Sequence, residues 1–208
     1  FLFQGGYQQR DKFYFLTAHG DRLGQKQEAI PTCDGKKVAV ARFSRPGMNW
    51  VSGSIVPLKV GNTAKLADVI AEETGGSVYA IEPAAAYPDD YRACTDQAAK
   101  ELKEDCRPAL KHPVPDMADV DVLFIGYPIW WGEMPMPVKT FLESADLSGK
   151  TVIPFCTHEG SGIGATVGSV KRLAPKGRVT SGLAVTGSTA AEGGEALRRR
   201  VRTFLSSL

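Results

Sequence analysis

The chain has 208 residues, of which 43% are hydrophobic and 23% charged, a composition that suits one globular domain or one domain with an appendage. Its formal net charge is +2, from 25 basic and 23 acidic residues, whereas a nucleic-acid-binding protein usually shows a clear basic excess. The longest uncharged apolar stretch, residues 122–132, has 11 residues, and a membrane span needs about 20. Four cysteines without a C-x-x-C pair indicate reduced thiols rather than a zinc site or a disulfide scaffold. We therefore expect a cytoplasmic protein that binds neither nucleic acid nor membranes.

The first 36 residues differ in pattern from the rest of the chain. They are polar and glycine-rich and show weak periodicity, so we expect an N-terminal arm over residues 1–36 and one domain over residues 37–208. Residues 2–5 read LFQG, which resembles the core of a protease recognition site used in expression tags. Residues 1–6 are therefore a candidate tag remnant and are not expected to belong to the fold.

From residue 37 onward, strand and helix patterns alternate. The predicted strands are residues 37–43, 77–81, 120–126, 151–156 and 182–185. The predicted helices are residues 63–74, 91–106, 137–145, 163–173 and 190–205. Five strand–helix repeats predict a three-layer α/β sandwich with a parallel sheet, and right-handed crossovers favour the strand order 2-1-3-4-5. The ligand crevice of such a sheet lies beyond the carboxyl ends of its strands, so the loops after strands one, three and four should carry the chemistry.

The loop after the first strand has the composition of a phosphate site. Asn62 is a predicted N-cap, and the start of the helix that follows it offers free N–H groups and the positive end of the helix dipole. Hydroxyls from Ser44 and Thr63 would suit a phosphate monoester, and Arg45 would add a charge-assisted bond. The alternative is an ordinary capped helix in which Ser44 and Asn62 satisfy only their own backbone.

The loop after the third strand contains two adjacent tryptophans, Trp130 and Trp131. Both cannot point into one core at a strand end, so at least one indole should lie in the crevice. A flat indole there can stack on a planar aromatic ligand. The alternative is that both residues pack beneath a long loop.

The loop after the fourth strand is rich in glycine. It runs from Thr157 to Gly164, and its closely spaced glycines allow the backbone to approach a ligand. A dinucleotide-binding fingerprint is rejected, because it would follow the first strand with an acidic residue about 20 positions on. His158 is either a hydrogen-bonded structural group or an acid–base group, and Glu159 is expected to be solvated. The sequence predicts no catalytic triad and no metal-ligand set.

These loops and their flanking elements resemble the flavodoxin-like family of FMN-binding proteins, and most closely a bacterial branch with a long insertion in the phosphate loop. The matching segments are VAVARFSRPG, KVGNTAKLADVIAEETG, YPDDYRACTDQAAKELKEDCRPAL, VLFIGYPIWWGEMPMPVKTFLE and FCTHEGSGIGATVGSVKRL. The resemblance implies a noncovalent FMN held by three groups of residues. They are Ser44, Arg45, Asn62 and Thr63 at the phosphate; Pro128, Ile129, Trp130, Trp131 and Gly132 at the ribityl chain and isoalloxazine; and Thr157, His158, Glu159, Gly160, Ser161 and Gly162 at the pyrimidine side.

The chain departs from the family in its phosphate loop. Short-chain flavodoxins place a second hydroxyl residue two positions after the first, where this chain has Pro46, and they run straight into the helix. An insertion here separates Pro46 from Asn62. Its residues Asn49 and Trp50, together with residues 87–91, could form a wall of a substrate pocket above the flavin.

The resemblance implies a redox protein and leaves its exact role open. The favoured function is an FMN-dependent oxidoreductase that passes electrons or hydride to a small acceptor such as a quinone, with NAD(P)H as a candidate donor. The alternatives are a flavodoxin-type electron carrier with a redox partner protein, and a binding or non-redox use of the fold. We expect a monomer or a homodimer.

Overall fold

A computed structural model describes residues 33–208, so residues 1–32 of the predicted arm lie outside the described residues. The strands are β1 (Val38–Arg42), β2 (Gly47–Val51), β3 (Ser54–Leu58), β4 (Ser77–Ala80), β5 (Val122–Pro128), β6 (Thr151–His158), β7 (Arg178–Val179) and β8 (Leu183–Thr186). The helices are α1 (Asn62–Thr74), α2 (Tyr91–Lys103), α3 (Met136–Ser144), α4 (Thr166–Leu173), α5 (Gly187–Glu192) and α6 (Gly194–Leu205). In the described part of the chain, no helix has both the length and the apolar character needed to cross a membrane.

The central sheet is parallel and runs in the order β4-β1-β5-β6, with β8 beside the carboxyl half of β6. This is the predicted order 2-1-3-4-5, which is confirmed. One short strand was not predicted: β7 pairs with Thr151 and Val152 at the amino end of β6, so β7 and β8 share one edge of the sheet. The sheet therefore has six strands rather than five.

Two apolar clusters cover the two faces of the sheet. One cluster joins the sheet to α3 and α4 through residues such as Phe141 and Val170, and the other joins it to α1 and α6 through residues such as Ile70 and Val201. Strand β5 is buried along its length except at Pro128, as expected for a central strand covered on both faces. Because each cluster holds helices against one face of the sheet, the domain is a three-layer sandwich.

Two segments of the structure differ from what the sequence predicts. The insertion after β1 forms an antiparallel hairpin of β2 and β3, in which Trp50 lies opposite Ile55. The predicted helix over residues 190–205 is two helices, because Gly193 and Gly194 both have positive φ angles, 63° and 62°. The chain turns between α5 and α6 at this pair.

Candidate functional site

A cavity of about 300 Å³ opens at the carboxyl ends of β1, β5 and β6. Most of the residues predicted for the cofactor border it: Ser44, Arg45, Asn62, Thr63, Pro128, Ile129, Trp130, Trp131, Thr157, His158 and Glu159. The four other predicted residues, Gly132, Gly160, Ser161 and Gly162, lie in the same loops but not on its wall. The crevice predicted from the strand order is therefore present, and its volume is in the range of small-molecule sites.

The start of α1 forms a cradle suited to an anion. The N-cap is Gly61 rather than the predicted Asn62, which is the first helical residue and makes no side-chain cap. Ser44 takes the capping role instead, since its Oγ accepts a hydrogen bond from the N–H of Ala64 at 3.0 Å. Within the described residues, the N–H groups of Asn62 and Thr63 donate no hydrogen bond. These two donors, the dipole of α1 and the free hydroxyl proton of Ser44 together favour a phosphate.

The side chain of Asn62 adds a second sign of a ligand. Its Oδ1 is buried and has no hydrogen-bond partner among the described residues. A buried polar atom without a partner costs free energy, and a donor on a bound molecule would remove that cost.

Arg45 borders the cavity but is engaged elsewhere. Its guanidinium donates hydrogen bonds to the carbonyl oxygens of Met48, Pro88 and Asp89, the first at 2.6 Å and the last at 2.7 Å. These contacts join the hairpin to the loop that precedes α2. Arg45 therefore fastens the hairpin to this loop, a structural role that comes in addition to the phosphate contact expected from the resemblance.

The two tryptophans of the β5 loop point in different directions. Trp131 and Gly132 have φ angles of 53° and 77°, and the N–H and C=O groups of Trp130 and Glu133 bond each other on either side of them. This is a tight turn that presents Trp131 at its tip, where the residue is 62% exposed. Its indole Nε1 donates to the carbonyl of Thr95 on α2 at 3.0 Å. Both tryptophans border the cavity, and the exposed indole of Trp131 agrees with the expectation that at least one would lie at the crevice.

Trp130 packs inward. Its ring meets Phe43 and Tyr87 edge to face, with centroid distances of 5.3 Å and 5.2 Å. Such T-shaped contacts are the favoured geometry for aromatic pairs. Trp130 therefore supports the base of the cavity and fixes the loop that carries Trp131.

The carboxyl end of β6 contributes hydroxyl and imidazole groups. The buried side chains of Thr157 and Thr63 share a hydrogen bond of 2.8 Å between their Oγ1 atoms, which ties β6 to α1. His158 Nδ1 accepts the N–H groups of Gly160 and Gly162 at 3.0 and 3.1 Å, and this fixes the neutral tautomer with the proton on Nε2. Burial lowers the pKa of His158, which favours the same neutral form.

Glu159 connects the same loop to the hairpin. Its Oε2 accepts the N–H of Ser52, at the tip of the hairpin, at 2.9 Å. Its Oε1 occupies the space beside Gly187, where a Cβ would lie 1.9 Å from that oxygen and 3.2 Å from Asn62 Nδ2. The absence of a side chain at Gly187 therefore allows a carboxylate to stand next to the phosphate cradle.

Several cavity residues were not among those predicted for the cofactor. The hairpin supplies Asn49, Trp50 and Leu58, and α2 supplies Tyr91, Cys94, Thr95 and Ala98. Of these, Asn49, Trp50 and Tyr91 were expected to form a wall of a substrate pocket. The spacing 91, 94, 95, 98 marks one face of a helix, which is the signal that would have added Cys94, Thr95 and Ala98 to Tyr91. Gly187 carried no such signal.

The comparisons with known proteins agree with this geometry. The flavodoxin family model matches residues 42–199. A protein from Bacteroides eggerthii, described as a flavoprotein, is 30% identical over 83% of this chain and 97% of its own, with a TM-score of 0.65. A similarly described protein from Bacteroides uniformis is 29% identical over 80% of this chain and 98% of its own, with a TM-score of 0.63.

A more distant solved structure has the same fold. It is a flavoprotein from Lactobacillus acidophilus in complex with FMN, 21% identical over 76% of this chain and 98% of its own, with a TM-score of 0.55. None of the curated proteins compared with the chain matches it. The family match covers most of the described residues, and this chain belongs to the flavodoxin family.

Proposed function

We propose that this protein binds FMN noncovalently and acts as an FMN-dependent oxidoreductase that passes electrons or hydride to a small acceptor such as a quinone. The observation that carries the proposal is the cavity itself, which is bordered both by the unpaired donors at the start of α1 and by the exposed indole of Trp131. Membership of the flavodoxin family supports FMN as the ligand, as does the FMN complex of the Lactobacillus protein.

The residues of the cavity fit the parts of FMN. Ser44, Asn62 and Thr63 would hold the phosphate through one hydroxyl and two backbone N–H groups. The buried Oδ1 of Asn62 would accept a hydrogen bond from a hydroxyl of the ribityl chain, and thereby gain the partner that it lacks. Trp131 would offer its face to the isoalloxazine, with Thr157 and the residues after it on the pyrimidine side.

FMN, when bound, supplies two-electron chemistry: it mediates NAD(P)H + H⁺ + quinone → NAD(P)⁺ + hydroquinone, in which the nicotinamide loses a hydride and the quinone gains two electrons and two protons. The chain itself binds and orients. Pro128 and Ile129 give the cavity an apolar wall that limits water, and His158 holds the loop after β6 through its neutral imidazole.

The charge of the domain favours an enzyme over an electron carrier. Carriers of this fold are usually strongly acidic, since basic partner proteins are then steered to them. Residues 37–208 contain 20 basic and 19 acidic residues, so this domain has no such bias. The hairpin and α2 also extend the cavity beyond the cofactor residues, which leaves a wall for a small substrate.

The experiment begins with purified protein and added FMN. We expect quenching of flavin fluorescence on binding and release of FMN by acid. Anaerobic addition of NADH or NADPH should then reduce the bound flavin, and a quinone should reoxidise it over many turnovers. A protein that ignores added FMN would refute the proposal. Reduction only by a protein donor, in one-electron steps, would instead support a carrier.

A further inference from the structure

The cavity has a second wall that the cofactor residues do not use. One side is formed by the carboxyl ends of β1, β5 and β6, and the other by the hairpin and α2. On this second side, Trp50 of β2 and Tyr91 of α2 lie next to each other, with ring centroids 6.3 Å apart and ring planes 32° from parallel. Both rings border the cavity, so these two adjacent aromatic side chains form an apolar surface on this side of it.

This surface is exposed, yet its position is fixed. Trp50 is 44% exposed, although burial of a tryptophan of this size would be favourable. The hairpin that carries it is held by Arg45, whose guanidinium bridges Met48 to Asp89 across the gap to α2. Tyr91 is the first residue of α2, whose start is capped by Asp90 through a 2.8 Å bond to the N–H of Ala93. A large apolar surface kept in place and open to a cavity is typical of a binding site.

Outside the phosphate cradle, the charged side chains that border the cavity disfavour a second anion. Among the described residues on its wall, Arg45 is the one side chain with a permanent positive charge, and its guanidinium donates to three carbonyl oxygens. His158 is held neutral, with two N–H groups donating to its Nδ1. Glu159 is acidic. A carboxylate or sulfonate that enters beside Trp50 would leave water and share the cavity with Glu159 and the bound phosphate, while the Arg45 guanidinium already donates to three carbonyl oxygens; its transfer from water is therefore costly.

We propose that Trp50 and Tyr91 are specificity-determining residues that select a flat, uncharged ring compound as the electron acceptor. This assignment rests on the proposed function, because the acceptor must reach bound FMN. The aromatic pair binds the acceptor ring by stacking and apolar burial, and acidic analogues of the same shape bind more weakly because the one cation among the described wall residues, Arg45, is engaged by carbonyl oxygens.

The test compares two quinones and three variants of the FMN-loaded protein. The quinones are 2,3-dimethyl-1,4-naphthoquinone, which is neutral and has no open ring carbon for thiol addition, and 1,4-naphthoquinone-2-sulfonate, which is anionic. The variants are Trp50→Ala, the conservative Trp50→Phe, and the control Ile55→Ala. Ile55 lies opposite Trp50 in the hairpin and is 46% exposed, but it does not border the cavity. Calorimetry on the oxidised holoprotein without a nicotinamide gives Kd, and steady-state turnover gives KM and kcat.

We expect Trp50→Ala to raise Kd and KM for the neutral quinone about tenfold with kcat nearly unchanged, while Trp50→Phe restores most of the affinity. Ile55→Ala should behave as the wild type, and the sulfonate should bind at least about tenfold more weakly than the neutral quinone. The FMN affinity of each variant is measured separately by flavin fluorescence. If Trp50→Ala binds FMN normally and keeps the wild-type Kd for the neutral quinone, or if the sulfonate binds as well, this assignment is wrong while the proposed function stands. A wild-type protein that takes up no FMN would refute both.

Discussion

Substitution of Ser44 by alanine separates the structural and ligand-binding roles of one hydroxyl. In the free protein, Ser44 Oγ accepts the N–H of Ala64, so its loss removes a capping contact at the start of α1 and should lower the free energy of unfolding by about 1 kcal/mol. In the complex, the hydroxyl proton of Ser44 would point to a phosphate oxygen. A hydrogen bond to a charged group contributes about 1.5–3 kcal/mol, so FMN should bind about 10- to 150-fold more weakly to the variant.

Riboflavin, which lacks the phosphate, serves as the matched ligand. Flavin-fluorescence titrations should show the loss for FMN and little change for riboflavin, and urea unfolding of the free protein reports the capping effect. Asp146→Ala is the control variant, because Asp146 also accepts a backbone N–H, that of Ser148 at 3.1 Å, but precedes the amino end of β6, opposite the cavity. If Ser44→Ala weakens FMN and riboflavin equally, or weakens neither, the start of α1 is not the phosphate site.

Three further substitutions test the β6 loop and the β5 turn. Acidification below the usual histidine pKa of 6.5 should destabilise the protein, because burial lowers the pKa of His158 in the folded state and the unfolded chain takes up the proton first. In the His158→Asn variant, the free energy of unfolding measured in urea should therefore depend less on pH between about pH 7.5 and about pH 5. Glu159→Gln removes a negative charge beside the cradle but keeps an acceptor for Ser52, so FMN should bind about fivefold more tightly at low salt while riboflavin binding stays the same. An equal gain for both flavins would contradict this electrostatic argument. Trp131→Ala should weaken FMN and riboflavin alike by about tenfold, and unchanged affinities would remove its stacking role.

The fold follows from the sequence where local pattern and tertiary packing agree. The run VLFIGYP in β5 is apolar throughout and forms the buried central strand that such a pattern predicts. The prediction is wrong at residues 190–205, where apolar spacing indicates one helix but Gly193 and Gly194 break it with two positive φ angles. The hairpin was also not predicted. Its signal is the Ser52–Gly53 pair between short apolar strands, and both residues have the positive φ angles of a tight hairpin turn.

The site follows from the sequence only in part, since its finer contacts join segments far apart in the chain. The strand order places the ends of β1, β5 and β6 together, and this is enough to predict a crevice there. It does not show that Arg45 donates to the carbonyls of Pro88 and Asp89, 43 and 44 residues away. The capping of α1 by Ser44 rather than Asn62 is likewise a tertiary contact across 20 residues. Residue type alone does not distinguish a guanidinium that binds a ligand from one that fastens a loop.

The turn at Trp131 breaks local rules in a way that itself indicates function. Tight turns with two positive φ angles favour Asn followed by Gly, and Ser52 and Asp105 show how small polar residues accept such a conformation elsewhere in this chain. A tryptophan at φ 53° is strained by roughly 1 kcal/mol or more and is still 62% exposed, so its own packing gives little compensation. The bond from its Nε1 to Thr95 and the packing of Trp130 against Phe43 hold it there. Strain that the surroundings enforce, on a large apolar side chain that remains open to a cavity, is expected where a ligand needs that side chain, and it supports the proposed flavin site by a physical criterion independent of the family resemblance.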